Sequence, residues 1–243
     1  MTELDAESYR AFLETRRGQI VRRIEEAARR AGRSADEVTL LAVSKTVGPQ
    51  EVVMAWEAGY RAFGENRPQE LTRKLTALRE MGGFDDLRFD MIGNLQKNKI
   101  NQVLGNVELI HSVSSLHLAQ AISTRAEARG LRVPVLLEVN VSGEESKSGF
   151  TPDEVRWQAE EVASLDGVSV QGVMAMAPAH DADAARATFS GLRELRDDLR
   201  VRTGLGLAVI SCGMSDDFSI AVEEGSTLVR LGRTVFDPAY ELE

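Results

Sequence analysis

Eight short apolar runs, each followed by a turn and then by a helical pattern, constrain this chain more than any other feature of its sequence. The runs cover residues 39–43, 60–63, 88–92, 108–111, 133–139, 168–173, 208–210 and 227–231. Between them, apolar residues spaced three and four apart predict helices near 50–58, 66–80, 96–104, 115–129, 152–164, 182–202 and 216–224. Ser115 reads as an N-cap, and Pro49 and Pro152 fall in first turns, where a missing N–H costs nothing. Strands joined by helical crossovers lie parallel, and eight of them predict closure into a (β/α)8 TIM-type barrel. An open doubly wound sheet is the competitor, but no Gly-x-Gly-x-x-Gly follows the first run and the strand count is too high for it.

Before the first run, Tyr9, Phe12, Leu13, Ile20, Ile24, Ala27, Ala28 and Ala31 line one face of a helix over about residues 5–32, which Gly32 ends. After the eighth run only residues 234–243 remain, so the last helix is short or missing, and the extra N-terminal helix is expected to cover the gap. No linker, charge block or low-complexity stretch interrupts the chain. It reads as one domain, 1–243, with no second domain.

Several function classes fall away. No stretch approaches the roughly 20 apolar residues of a membrane span, and the first residues carry acids and no apolar signal core, so the expected location is cytoplasmic. A net charge of −9, from 29 basic against 38 acidic residues, disfavours nucleic acid as a partner. Cys212 is the single cysteine, and His111, His117 and His180 have no metal-ligand spacing, so no metal site is expected. Without a heptad run or an apolar surface stripe, the chain is expected to be a monomer.

In a barrel of this class the chemistry sits on the loops that follow the strands, and the unusual polar residues collect there. Lys45 follows run one; Gly64, Glu65 and Asn66 follow run two; Gly93, Asn94 and Gln96 follow run three. His111 and Ser112 end run four, Asn140 follows run five, the stretch Met174 to Pro178 follows run six, SCGMSDD follows run seven, and Arg230, Gly232 and Arg233 close run eight. Lys45 stands out. An amine directly after an apolar strand is expected to be partly desolvated, which lowers its pKa and suits a Schiff base with a carbonyl compound; a lysine that merely snorkels to solvent is the alternative. Ser211, Gly213, Met214 and Ser215, just before a helix, form one candidate anion site, and Gly232 with Arg233 on the adjacent strand end forms another. A lysine for a carbonyl, a phosphate site across the mouth and an arginine between them describe a pyridoxal 5'-phosphate site.

The segments LLAVSKT, FGENRPQE, FDMIGNLQKNK, VNVSGEESKSGF, GVMAMAP and SCGMSDDFSIAVEEGSTLVRLGRTVF resemble, in order and spacing, the pyridoxal phosphate homeostasis protein family, whose fold is similar to the barrel domain of alanine racemase. The resemblance spans about residues 38–236. It implies that Lys45 forms the Schiff base with the cofactor, that Asn66 lines it, and that Ser211, Gly213 and Ser215 with the backbone of Gly232 and Arg233 hold the phosphate. Arg230 resembles the arginine that faces the pyridine nitrogen. The chain departs from the family pattern: Phe89-Asp90 and Asn94 stand where Trp-His and His are common, Cys212 where Met is common, and Asp237 where Gly is common.

These residues imply a cofactor-binding regulator more readily than an enzyme. A guanidinium cannot protonate the pyridine nitrogen, so the ring is a poor electron sink. A two-base racemase also needs an acid on the face opposite Lys45, and Tyr9, Tyr60 and Tyr240 all lie away from the strand-end motifs. The resemblance therefore implies intracellular buffering of pyridoxal phosphate and its delivery to apo forms of enzymes that use it. A racemase of low activity is the alternative, and a Schiff-base aldolase acting on a sugar phosphate is a more distant one. His111, His117, Lys97 and Lys99 receive no role; Trp56 and Trp157 are expected to cover the sheet, and Glu144, Glu145 and Lys147 to form a lid.

Overall fold

The computed structural model describes residues 3–144 and 147–242. A 28-residue helix, α1 (Glu3–Arg30), precedes the alternation β1 (Thr39–Val43), α2 (Pro49–Glu57), β2 (Ala62–Glu65), α3 (Pro68–Met81), β3 (Arg88–Met91), α4 (Ile100–Val103) and β4 (Leu109–Val113). Then follow α5 (Leu116–Glu127), β5 (Val133–Glu138), α6 (Pro152–Ala163), β6 (Val168–Met174), α7 (Ala182–Thr203), β7 (Val209–Ser211), α8 (Phe218–Glu223), β8 (Leu228–Leu231) and α9 (Arg233–Phe236). The strands are all parallel and close in sequence order, with β8 pairing β1. This is the expected TIM-type barrel.

Local chemistry sets the elements. Proline opens α2, α3 and α6, and side-chain caps are made by Ser115 to Leu118 N, Thr151 to Glu154 N and Asp181 to Ala184 N. The segment expected as one helix at 96–104 is instead a 3-10 turn, Lys97–Lys99, running into the single turn of α4. Alternation along each strand sends one set of side chains to the helices and the other into the barrel. Leu41, Ala62, Leu109, Leu136, Met174 and Leu228 form the apolar packing inside the barrel. Register slips once between β4 and β5 and once between β5 and β6, and there β7 approaches so closely that a Cβ on Gly172 would lie 1.8 Å from the Val209 carbonyl oxygen.

Helix α1 does cover the gap left by the short α9. Its buried face, with Leu13, Ile20, Ile24, Ala27 and Ala28, joins the core that also holds Phe218, Val222, Val235 and Phe236. Tyr9 Oη donates to the Phe236 carbonyl at 2.8 Å, and Arg16 donates to the Thr234 and Tyr240 carbonyls at 2.9 Å each. Trp56 packs at the core edge, its ring edge-on to Phe84, with Nε1 donating to Asp86. The expectation for Trp157 fails: it is 80% exposed. Helix α6 buries Val155, Ala159 and Val162, and a residue two positions along from Val155 points to the opposite face. Among the described residues no helix is long and apolar enough to cross a membrane, and no cluster of side chains suits a metal.

Candidate functional site

The C-terminal ends of the strands gather the candidate residues at one mouth. Strand β1 is buried through Val43 and Ser44, and Lys45 follows as the first exposed residue. Ser44 thus closes the buried segment, and Lys45 is not buried by the strand. Behind it lies an ion pair that the sequence reading overlooked. Lys74, fully buried on α3, donates to Glu65 Oε2, to the Ser44 carbonyl at 2.6 Å and to Ser44 Oγ at 3.3 Å. Glu65 Oε1 in turn accepts from the backbone N–H of Asn66 at 2.7 Å. One buried cation thus ties the loop carrying Lys45 to the loop carrying Asn66. The signal was present: Lys74 falls on the helical stripe of Leu71 and Leu78.

The loop after β7 turns sharply at Gly213, at φ +94°, where an added Cβ would sit 2.6 Å from the Ala221 Cβ. Asp217 accepts from Met214 N at 2.6 Å, and burial raises the pKa of its carboxyl. Ser215 Oγ accepts from Thr234 N at 3.3 Å, which joins this loop to the turn at Gly232 and Arg233. Met214 is partly exposed, and exposed Arg233 pairs with Asp216 at 2.7 Å. Gly213, Met214, Ser215, Gly232 and Arg233 therefore form one continuous rim. Ser211 does not belong to it. Its hydroxyl, expected among the phosphate groups, is fully buried because odd-even alternation turns the last residue of β7 inward, where it accepts from Arg230 Nη1 at 2.6 Å.

Tyr240 belongs to the rim although the sequence placed it near the end of the chain. Its hydroxyl donates toward the Ser215 carbonyl at 2.9 Å and Asp216 Oδ1 at 2.8 Å, with the Arg233 guanidinium 5.3 Å from its ring centre. Partial burial and the Asp216 contact raise its pKa. The fold returns the tail to the β7 loop, a contact that no local motif encodes.

Arg230, 5% exposed on β8, is bonded among the described residues only to neutral acceptors: Ser211 Oγ and the Ala175 carbonyl, the latter at 3.1 Å. Burial lowers its pKa, yet a guanidinium stays charged at ordinary pH. Glu138, the last residue of β5, was also overlooked. It is 2% exposed, its Oε2 has no hydrogen-bond partner among the described residues, and burial pushes its carboxyl up to about 7 against the opposing pull of Arg230. His111 is buried with both ring nitrogens engaged, whereas His117 and His180 are exposed. Burial pushes the Cys212 thiol up to about 12, so it is an inert core group.

After β5, Asn140 organises the loop by donating to the Glu144 and Lys147 carbonyls, and Lys147 pairs with Glu144 at 2.7 Å. Glu145 lies outside the described residues. Asn94 reaches this loop through Ser148 Oγ at 3.1 Å.

The model of the family described as "Alanine racemase, N-terminal domain" matches residues 16–238. Curated relatives named pyridoxal phosphate homeostasis protein include one from Aquifex aeolicus (strain VF5), 40% identical over 91% of this chain and 96% of its own length, and one from Pseudomonas aeruginosa, 41% identical over 90% and 92%. This chain belongs to the pyridoxal phosphate homeostasis protein family. Among solved structures, PipY of Synechococcus elongatus PCC7942, a member solved with PLP bound, is 33% identical with a TM-score of 0.77 over 82% of this chain and 92% of that one. Alanine racemase from Clostridium difficile 630, 17% identical, shares the fold at a TM-score of 0.72, and this chain covers 59% of it. The homeostasis protein family and the racemase thus share the barrel.

Proposed function

We propose that this chain binds pyridoxal 5'-phosphate as a Schiff base with Lys45 and serves intracellular homeostasis of the cofactor by holding and delivering it. The observation that carries this reading is the convergence at one mouth of the exposed Lys45, the buried Arg230 bonded to neutral groups, and the rim loop at Gly213 to Ser215. Two buried polar atoms support the fit, because Asn66 Oδ1 and Glu138 Oε2 have no hydrogen-bond partner among the described residues. The bound cofactor would supply an aldehyde, and Lys45 would supply the amine that holds it. Asn66 and Arg230 orient the ring; Gly213, Ser215, Gly232 and Arg233 hold the phosphate by backbone amides, hydroxyl and charge.

The arginine and the tyrosines offer no second acid–base group, which favours storage over racemisation. Arg230 has no proton to give. Tyr9 and Tyr240 are committed to backbone carbonyls, and Tyr60 lies buried before β2, at the other end of the strand. The test is an absorbance titration of purified protein with pyridoxal 5'-phosphate, followed by borohydride and peptide mapping, beside Lys45→Ala. A visible band that reduction fixes to Lys45, and that the variant lacks, is expected. A spectrum equal to that of free cofactor would overturn the reading, and so would turnover of an amino-acid panel at about 1–1000 per second. Transfer from the loaded protein to an apoenzyme checks delivery.

A further inference from the structure

Four buried side chains from four strands form a continuous hydrogen-bonded chain across the barrel. Arg230 on β8 meets Ser211 on β7 at 2.6 Å, Ser211 Oγ meets His111 Nδ1 on β4 at 3.0 Å, and His111 Nε2 meets Asp90 Oδ2 on β3 at 3.1 Å. None of the four is more than 5% exposed. The donor inventory fixes the direction of the Arg230 bond, and the His111 tautomer is assigned as the one that completes the other two. Arginine can only donate, so Ser211 Oγ accepts from it and has its one hydrogen left for His111 Nδ1. In the assigned tautomer His111 Nδ1 accepts that hydrogen, the ring proton sits on Nε2, and that N–H donates to the Asp90 carboxylate. Burial lowers the pKa of His111 against the pull of Asp90, in keeping with a neutral ring.

We infer that Asp90 and His111 are positioning residues for the arginine of the proposed cofactor site, holding Arg230 in one orientation through Ser211. This rests on the cofactor reading above. Arg230 needs such a device. Both of its terminal nitrogens are held by neutral oxygens, and among the described residues no carboxylate is hydrogen-bonded to it, so its fork has no ionic partner there to fix it. Asp90 supplies the missing anion at the far end, through two neutral groups whose bonds all point the same way. Its second oxygen, Oδ1, has no partner among the described residues, and Asp90 lines a cavity of about 410 Å³ at the barrel floor with Arg88, Glu108 and Gln171. The arginine at the mouth is therefore anchored from the opposite end of the barrel.

The experiment compares wild type with Asp90→Ala, Asp90→Asn and His111→Gln by three readouts. They are the dissociation constant for pyridoxal 5'-phosphate, the visible circular dichroism of the bound cofactor, and the melting temperature without cofactor. Asp90→Asn keeps an acceptor for the His111 N–H, whereas Asp90→Ala removes it; His111→Gln can reach Asp90 but abandons Ser211. Asp90→Ala and His111→Gln are expected to bind about tenfold more weakly, as for loss of one hydrogen bond to a charged group, with reduced visible ellipticity. Asp90→Asn should recover most of both. A merely structural role would move the melting temperature and leave the ellipticity per bound cofactor unchanged. If Asp90→Ala does not fold, His111→Gln decides on the same readouts. Wild-type affinity and ellipticity in a folded His111→Gln would overturn the inference. Borohydride trapping at Lys45 separates the two failures: a wild type that traps nothing sinks the cofactor reading, whereas variants that trap normally and match wild type sink the relay alone.

Discussion

Lys74 and Arg230 are both buried cations near the same mouth, and their partners differ in kind. Lys74 meets a carboxylate and a backbone carbonyl directly, so its charge is spent within the protein. Arg230 meets a hydroxyl and a carbonyl, and the nearest anions that influence it, Glu138 among them, stand off. The first arrangement fastens two loops together. The second leaves a desolvated positive charge for something that arrives from outside. Burial of a cation is thus not one phenomenon: the type of its acceptor separates a fastener from a receptor.

The largest expected effect breaks the fastener. Lys74→Met leaves Glu65 buried without its cation and should lower the unfolding free energy by about 3–5 kcal/mol in urea titrations. Adding Glu65→Gln should recover most of that loss while Lys45 and Asn66 remain in place. Next comes Glu138, whose folded pKa of about 7 lies above its unfolded value near 4.5. The folded state prefers the protonated form, so this contribution is complete below about pH 4.5 and is lost as the pH rises toward 7. Glu138→Gln should therefore match wild type at pH 4.5 and exceed it at pH 8 by up to about 3 kcal/mol, measured on cofactor-free protein.

Arg230→Met sharpens the contrast. Losing bonds to two neutral acceptors should cost about 1–2 kcal/mol of stability, well below the Lys74 variant, yet the cofactor titration should weaken more than tenfold. An Arg230→Met loss equal to that of Lys74→Met would erase the distinction between the two cations. Smallest is Tyr240→Phe. It frees the Ser215 carbonyl and Asp216, should cost about 1 kcal/mol or less, and should raise hydrogen exchange at the rim loop.

The barrel was legible because it is written in periodicities that depend on neighbours a few residues apart. Strand β1 occupies the expected residues, and the other strands shift by one or two. The larger slip at β2 has a chemical origin. A charged Glu65 looks like the end of a strand until Lys74, nine residues on, neutralises it inside the fold. Lys45 and Asn66 were legible as strand-end residues, and so was the Gly213 turn. Ser211 was read together with the rim because its neighbours in sequence form it, while its own parity on β7 turns it inward to Arg230. Asp90, noted only as a departure from the family pattern, gained a meaning when the barrel closed and brought it within 3.1 Å of His111. Tyr240 was read by its place in the chain, and the contacts that matter to it lie 24 and 25 residues away. What stayed hidden are relations between elements, which a single strand or helix cannot carry.

The seal between α1 and the last turn also bears on how the protein is made. Tyr9 bonds to a carbonyl 227 residues downstream and Arg16 to one 224 residues downstream, so helix α1 completes its packing only against residues synthesised long after it. Through most of synthesis, the apolar face of Leu13, Ile20 and Ile24 has no permanent cover, and the nascent chain exposes a greasy helix that attracts chaperones or its own copies. Ring closure is then a timing problem as well as a geometric one: the emergence of β8 and α9, more than any earlier step, sets when the apolar face of α1 can be covered.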